Sequence, residues 1–332
     1  MKSVLLGLSG GVDSAVAARL LQQAGYSVRG LYLDIGSPEA REDAVKTAEF
    51  IGVELDIMDI SAELEEHVCR PFVESYLRGE TPNPCIMCNP AVKFAALVRR
   101  ADELGIEYIA TGHYARTESG ALCKARSGND QSYMLCRLKK EQVERLLLPL
   151  GEFEKSEVRA MAADFGIPVA SKPDSMEICF IPDKDYVGWI ARRAEVPKEG
   201  NFVFDGKIIG RHEGIHRWTV GQRIPGLYNE RKLYVAEIRP ESDEIILMLW
   251  EDLFKNEVNI RDFNWLIDEP SEPLRGSIKV RHTKWECPEC TVYPGVGGSV
   301  RAVTDDSVRA PARGQAAIIY CGERVVGGGY IV

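Results

Sequence analysis

Apolar residues in the first third of the chain come in short runs separated by helically spaced segments. Val4-Leu5-Leu6 anchors a strand over residues 3–8, and a helix follows to about Ala24, closed by Gly25. Residues 27–33 read as a strand, 39–51 as a helix stopping at Gly52, and 54–59 as a strand. Residues 62–77 and 93–103 read as helices, and 108–111 as a strand ending at Gly112-His113. This alternation predicts an α/β domain built on a doubly wound parallel sheet. Such sheets bind ligands beyond the carboxyl ends of their strands, where Ser9, Leu33 and Gly112 fall.

The pattern changes near residue 195. Val196-Pro197-Lys198-Glu199-Gly200 reads as a linker, and short strands with glycine turns follow at 201–209, 233–239 and 244–249. Further strands are expected at 277–282, 298–303, 316–320 and 325–332. Short, evenly spaced strands suggest small barrels. The expected division is a catalytic domain over 1–195, a small central β-rich domain over 196–254 and a C-terminal β-barrel over 255–332.

Composition narrows the function. The net charge of −9 argues against a broadly basic nucleic-acid surface and leaves room for local ones. Candidates are Arg99-Arg100, Lys139-Lys140, Arg192-Arg193 and the 279–284 segment. Met1-Lys2 runs straight into the first strand, so no signal peptide is expected. No apolar run approaches the roughly 20 residues of a membrane helix. The expected compartment is the cytoplasm, with no membrane partner. Nine cysteines then read as thiols, ligands or nucleophiles rather than disulfides.

The strand–turn–helix segment carries Gly7-Leu8-Ser9-Gly10-Gly11-Val12-Asp13-Ser14. Glycines free the turn's backbone, and the helix N-terminus behind it presents N–H groups to an anion. Asp13 beside a phosphate requires a divalent cation between them. The loop therefore reads as a nucleotide pyrophosphate site with Mg2+, without the lysine of a Walker motif. Thr81-Pro82-Asn83-Pro84-Cys85-Ile86-Met87-Cys88-Asn89 reads as a stiff, extended loop with two thiols. Cys179 is a third thiol, and the trio has three readings: metal or cluster ligands, a nucleophile with a resolving partner, or inert buried thiols. Cys287-Pro288-Glu289-Cys290 reads as a local turn, and Cys69, Cys123, Cys136 and Cys321 as core or surface fillers.

These islands, with Ala110-Thr111-Gly112-His113-Tyr114, Asp130-Gln131-Ser132-Tyr133, Ile178-Cys179-Phe180, Thr219-Val220-Gly221-Gln222-Arg223, Gly314-Gln315 and Gly327-Gly328-Gly329, run the length of the chain. Together they resemble the bacterial tRNA-specific 2-thiouridylases, which thiolate the wobble uridine of certain tRNAs. The resemblance implies an adenine-nucleotide alpha-hydrolase-like domain, a central domain and a C-terminal barrel. It implies ATP on residues 7–14, with Leu33 and Gly112 near the adenosine, and Asn83, Pro84 and Cys85 near the target base. It also places His113, Asn129, Asp130, Gln131, Arg281, His282 and Gln315 against tRNA.

In the family scheme, adenylation turns the uracil C2 oxygen into a leaving group. Cys179 carries a persulfide and Cys88 resolves it. The family commonly has aspartate where this chain has Cys85, which withdraws an acid–base group and completes a three-thiol set. Cys85, Cys88 and Cys179 can hold a [4Fe-4S] cluster with one iron open to hydrosulfide. The expected catalytic residues are Asp13, Cys85, Cys88 and Cys179, with ATP, Mg2+, tRNA and a sulfur donor as cofactors and partners. A thiolase acting on a free base is the alternative. Residues 34–41 and 224–232 are shorter than the family leads one to expect.

Overall fold

The computed structural model describes residues 2–170, 172, 178–226, 232–281 and 287–332. His282, Thr283, Lys284 and most of the 224–232 segment lie outside the described residues. The chain divides into two compact units, residues 1–68, 85–176 and 323–326 in the first and residues 69–84, 177–322 and 327–332 in the second.

The first unit holds a parallel sheet in the order 55–59, 27–34, 3–7, 108–110, 146–147. Ser3–Gly7 is central and pairs with Ser27–Asp34 on one side and Tyr108–Ala110 on the other. Val4, Leu5 and Leu6 have no exposed surface, as expected of a strand covered on both faces. Helix Val12–Gln23 packs its Ala15–Ala18 run into the core beside Val158 and Ala162 of helix Lys155–Asp164. Helix Pro38–Ile51 begins with proline in its first turn behind Ser37, whose Oγ accepts from the Ala40 N–H at 3.5 Å.

One expected helix is interrupted, and another is preceded by a widened turn. The 62–77 segment contains a π turn at Glu65–Cys69 before Arg70–Leu77, and a second π turn at Asn89–Lys93 precedes Phe94–Glu103. Pro71 and Pro90 sit at these junctions. Proline has no N–H for the i→i−4 ladder, and one widened turn passes over the missing donor. A larger correction concerns the thiol segment. Pro84–Cys88 is helical rather than an extended loop. Proline is well tolerated at a first helical position, where its missing donor would have had no partner.

In the second unit, antiparallel and parallel pairs give a sheet in the order 223–224, 233–239, 244–248, 200–204, 207–212 around Phe202, Leu233, Val235, Ile245 and Leu247. The expected strand over 201–209 is two strands, Gly200–Phe204 and Lys207–His212. Asp205 and Gly206 form the turn, both with positive φ (51° and 68°), a geometry for which Asp-Gly is suited. Strands 254–265, 300–309, 289–294, 274–279, 316–321 and 324–331 follow one another in an eight-stranded sheet, and 254–265 also pairs with 324–331, while 121–124 and 115–118 continue the sheet beyond 324–331. The result is a closed β-barrel, which leaves no free sheet edge there.

Candidate active site

The glycine loop lies at the carboxyl end of the central strand. Gly10 has φ +75°, and a Cβ there would stand 2.6 Å from the Ala44 nitrogen. Both conditions admit only glycine. Gly112 is held to glycine by proximity alone, since a Cβ would come within 3.0 Å of the Asp13 carbonyl carbon and the Ser14 nitrogen. Ser14 Oγ donates to the Gly11 carbonyl at 3.0 Å, and Ser9 and Ser14 share a hydroxyl contact of 3.1 Å. The loop therefore wraps the N-terminus of helix Val12–Gln23, whose first amides and dipole favour an anion.

Asp13 faces two donors from distant parts of the chain. Lys155 Nζ donates to both carboxylate oxygens at 2.7 Å, and Tyr114 Oη donates to Oδ1 at 2.8 Å. The Lys155 ammonium also lies 5.5 Å from the centre of the Tyr114 ring. Lys155 was not singled out from the sequence, because a contact spanning 142 residues leaves no local pattern. It places an ammonium group at the edge of the glycine loop.

Leu33 lies one residue before the end of its strand, opposite Met58. Beyond it, a depression of about 420 Å³ is lined by Asp34, Gly36, Pro38, Arg41, Glu42 and Val45. The short turn after Leu33 is held by the Asp34 carboxylate, which accepts from the Gly36 N–H at 2.8 Å.

His113 packs against Phe94 and shares a 2.8 Å hydrogen bond with Thr111 Oγ1 through Nδ1. Desolvation, and to a lesser degree nearby Lys93, pull its imidazole down to about 3. It is therefore neutral at any working pH. Asp130 and Gln131 are largely used within their own loop. Asp130 accepts from the Ala125 and Ser132 amides and from Ser132 Oγ, and Gln131 Oε1 accepts from the Tyr114 N–H at 3.0 Å. Asn129 is exposed beside them.

Cys85 is exposed and Cys88 is buried on the helix that Pro84 begins, and one turn separates them. Asn83 and Pro84 lead into that helix. Asn89 anchors the next turn, its Nδ2 donating to the Met134 carbonyl at 2.8 Å. Cys179 belongs to the second unit and is exposed on a turn closed by the Ile181 N–H to the Ile178 carbonyl. Its neighbour Phe180 fixes that turn by packing on Phe72 and Trp189, with ring centres 5.5 and 5.3 Å apart. Residues 173–177, just before it, lie outside the described residues. Among the described residues, no group of three or more His, Cys, Asp or Glu side chains could hold a metal ion. Burial pushes the Cys136 and Cys290 thiols up to about 12, so both stay protonated. Cys290 lies within strand Glu289–Pro294 rather than in a local turn.

Arg281 donates to the carbonyls of Val220 at 2.8 Å and Ala310 at 2.5 Å. Gln315 follows Gly314, whose φ of +83° and approach to Glu80 and Thr81 leave no space for a side chain.

Comparison with known proteins places this geometry. A family profile described as the tRNA methyl transferase HUP domain matches residues 2–183. Its PRC-barrel counterpart matches 190–248, and an aminomethyltransferase beta-barrel domain matches 255–331. The tRNA-specific 2-thiouridylase MnmA of Clostridioides difficile is 38% identical over 99% of this chain and 98% of its own. The chain belongs to the tRNA-specific 2-thiouridylase family. The member from Syntrophotalea carbinolica is 40% identical, again over 99% of this chain and 98% of its own. The one from Lachnoclostridium phytofermentans is 39% identical over the whole of both chains. Family membership accounts for the order of the islands, from the glycine loop through the thiol helix to Gly327-Gly328-Gly329.

Proposed function

We propose that this protein is an ATP-dependent tRNA sulfurtransferase that replaces the C2 oxygen of a wobble uridine by sulfur. The observation that carries the reading is the pairing of an anion-binding glycine loop, with Asp13 and Lys155 at its edge, with exposed and buried thiols on ordered turns. The curated relatives are named for 2-thiouridylation, whereas the matching HUP-domain profile is described by methyl transfer. Methyl transfer needs neither a pyrophosphate loop nor thiols, so thiolation accounts for more of the residues present.

The loop amides and the helix N-terminus bind the triphosphate, with Leu33 and Gly112 toward the adenosine. The uridine C2 oxygen attacks the α-phosphate and pyrophosphate leaves toward the loop. When bound, Mg2+ would neutralise phosphate charge, with Asp13 as its carboxylate ligand and Lys155 turned to the phosphates. Sulfur held as a Cys179 persulfide then attacks C2, and AMP departs with the former uracil oxygen. Cys88 attacks the inner sulfur, which releases the thiolated base and leaves a Cys88–Cys179 disulfide for an external thiol to reduce. A persulfide carrier loads the reduced Cys179, or sulfide attacks Cys179 of the Cys88–Cys179 disulfide and expels the Cys88 thiolate, which leaves the persulfide on Cys179. Asn83, Pro84, Cys85, His113, Asn129, Arg281 and Gln315 are assigned to the tRNA side.

Cys85, exposed one turn before Cys88, favours a second reading in which a [4Fe-4S] cluster on Cys85, Cys88 and Cys179 delivers the sulfur. Thiolation of unmodified tRNA with ATP and either sulfide or a persulfide donor, followed by mass analysis of the nucleosides, tests the function. The expected result is a sulfur-for-oxygen mass gain on the wobble uridine. Turnover of free uracil with no change in any tRNA would support the small-molecule thiolase instead. Iron and sulfide counts on the active, anaerobically reconstituted protein separate the two sulfur routes. Full activity without iron establishes the persulfide route, and activity that tracks iron establishes the cluster.

A further inference from the structure

Most arginines on the surface of this acidic protein meet a carboxylate, as Arg29, Arg41, Arg100, Arg239, Arg275 and Arg301 do. Among the described residues several arginines meet none, three of them being Arg223, Arg281 and Arg309. All three belong to the second unit, and contacts link them into one surface. The Arg281 guanidinium reaches the Ala310 carbonyl, next to Arg309. Its Nε is buried without an acceptor. The Arg309 guanidinium lies 4.3 Å from the centre of the Trp250 ring. Trp250 meets Tyr234 and Phe254 edge-on, at 5.2 and 6.1 Å, and Tyr234 is the strand partner of Arg223.

Trp250 is 41% exposed and Phe254 37%. A tryptophan left this open, next to cations without counter-ions, is poorly explained by core packing. Burial and the neighbouring Arg309 both act against the charge on Arg281, and an anion arriving at the surface would relieve both. Exposed aromatic rings and planar guanidinium groups are what stack unpaired nucleobases, and unpaired arginines are what neutralise the adjoining phosphates.

We propose that Trp250 and Arg309 form a stacking platform for an unpaired nucleobase of the tRNA, with Arg223 and Arg281 binding the phosphates that flank it. The proposal rests on the tRNA reading above and extends the interface to residues which that reading left out.

The test is anisotropy of an end-labelled, unmodified tRNA transcript titrated with the full-length protein at several salt concentrations. Trp250→Ala is expected to weaken binding about tenfold, and Trp250→Phe to stay within about twofold of the parent. Arg309→Lys keeps the charge and loses the plane, so it should lose several-fold affinity with an unchanged salt slope. Arg309→Gln should also lower the slope by about one. Should Trp250→Ala melt early, the Arg309 pair carries the test, because neither change empties a buried space. Parental affinity in a folded Trp250→Ala protein, or in Arg309→Lys, would overturn the platform even if the parent thiolates tRNA normally. A parent that turns over free uracil and binds no transcript would overturn the tRNA reading and the platform together.

Discussion

Lys155→Met is expected to lower ATP- and tRNA-dependent pyrophosphate release by about 10²–10³-fold, the usual cost of losing one preorganised electrostatic group at a reacting centre. Lys155 Nζ stands 2.7 Å from both oxygens of Asp13 on the first turn of the helix that caps the loop. Without it, the triphosphate would lose the ammonium group that Asp13 holds at the edge of the loop. Lys155→Arg keeps the charge with a bulkier head and should retain a measurable fraction of the rate. The measurement is steady-state pyrophosphate release at saturating tRNA, with thermal unfolding as the control for folding. A parental rate in the methionine variant would remove Lys155 from the nucleotide site and return the loop to the role that its local sequence alone implies.

Cys179→Ser is expected to abolish thiolation, with a loss of at least about a thousandfold, while pyrophosphate release on mixing ATP and tRNA continues. A serine hydroxyl can neither carry a sulfane sulfur nor be reduced back to a thiol. The Phe180 packing that fixes the turn is untouched by the change. Cys88→Ser should behave similarly from the first turnover, because the base then stays joined to Cys179 through the transferred sulfur. Cys136→Ser and Cys290→Ser should not, because burial holds those thiols protonated near 12 and the proposed chemistry does not use them. Nucleoside mass analysis reads thiolation, and a coupled phosphate assay reads the first step. Thiolation by Cys179→Ser at the parental rate would exclude both the persulfide and the cluster route.

Local signals explain how much of this architecture could be read from sequence. The parallel sheet was legible because its central strand is buried on both faces and its helices end at Gly25, Gly52 and Gly105, all with positive φ. The long strand Phe254–Trp265 was not. Its inward residues, Val258 and Ile260, are followed by a register shift between Arg261 and Asn264, with Asp262 at φ 51°, and Phe263 is the next residue buried. A bulge breaks the two-residue period that marks a strand. The hairpin at Asp205-Gly206 was hidden inside what looked like one continuous run. Pro84 was read as a residue that keeps the chain extended, although it stands at the one helical position that suits proline.

The glycine loop was legible for the opposite reason, since its chemistry lies within eight consecutive residues. Lys155 was not, because only folding brings it to Asp13. Asp130 and Gln131 show the converse case. Their motif is conspicuous in the sequence, yet their side chains hold the backbone of their own loop and of Tyr114.

The account stands on one claim, that ATP is spent to convert the uridine C2 oxygen into the oxygen of AMP. A single turnover on a transcript carrying ¹⁸O at C2 of the wobble uridine measures this directly. The account predicts one ¹⁸O in AMP for every sulfur installed in the tRNA. Sulfur installed with unlabelled AMP, and the ¹⁸O recovered in water or pyrophosphate, would contradict it.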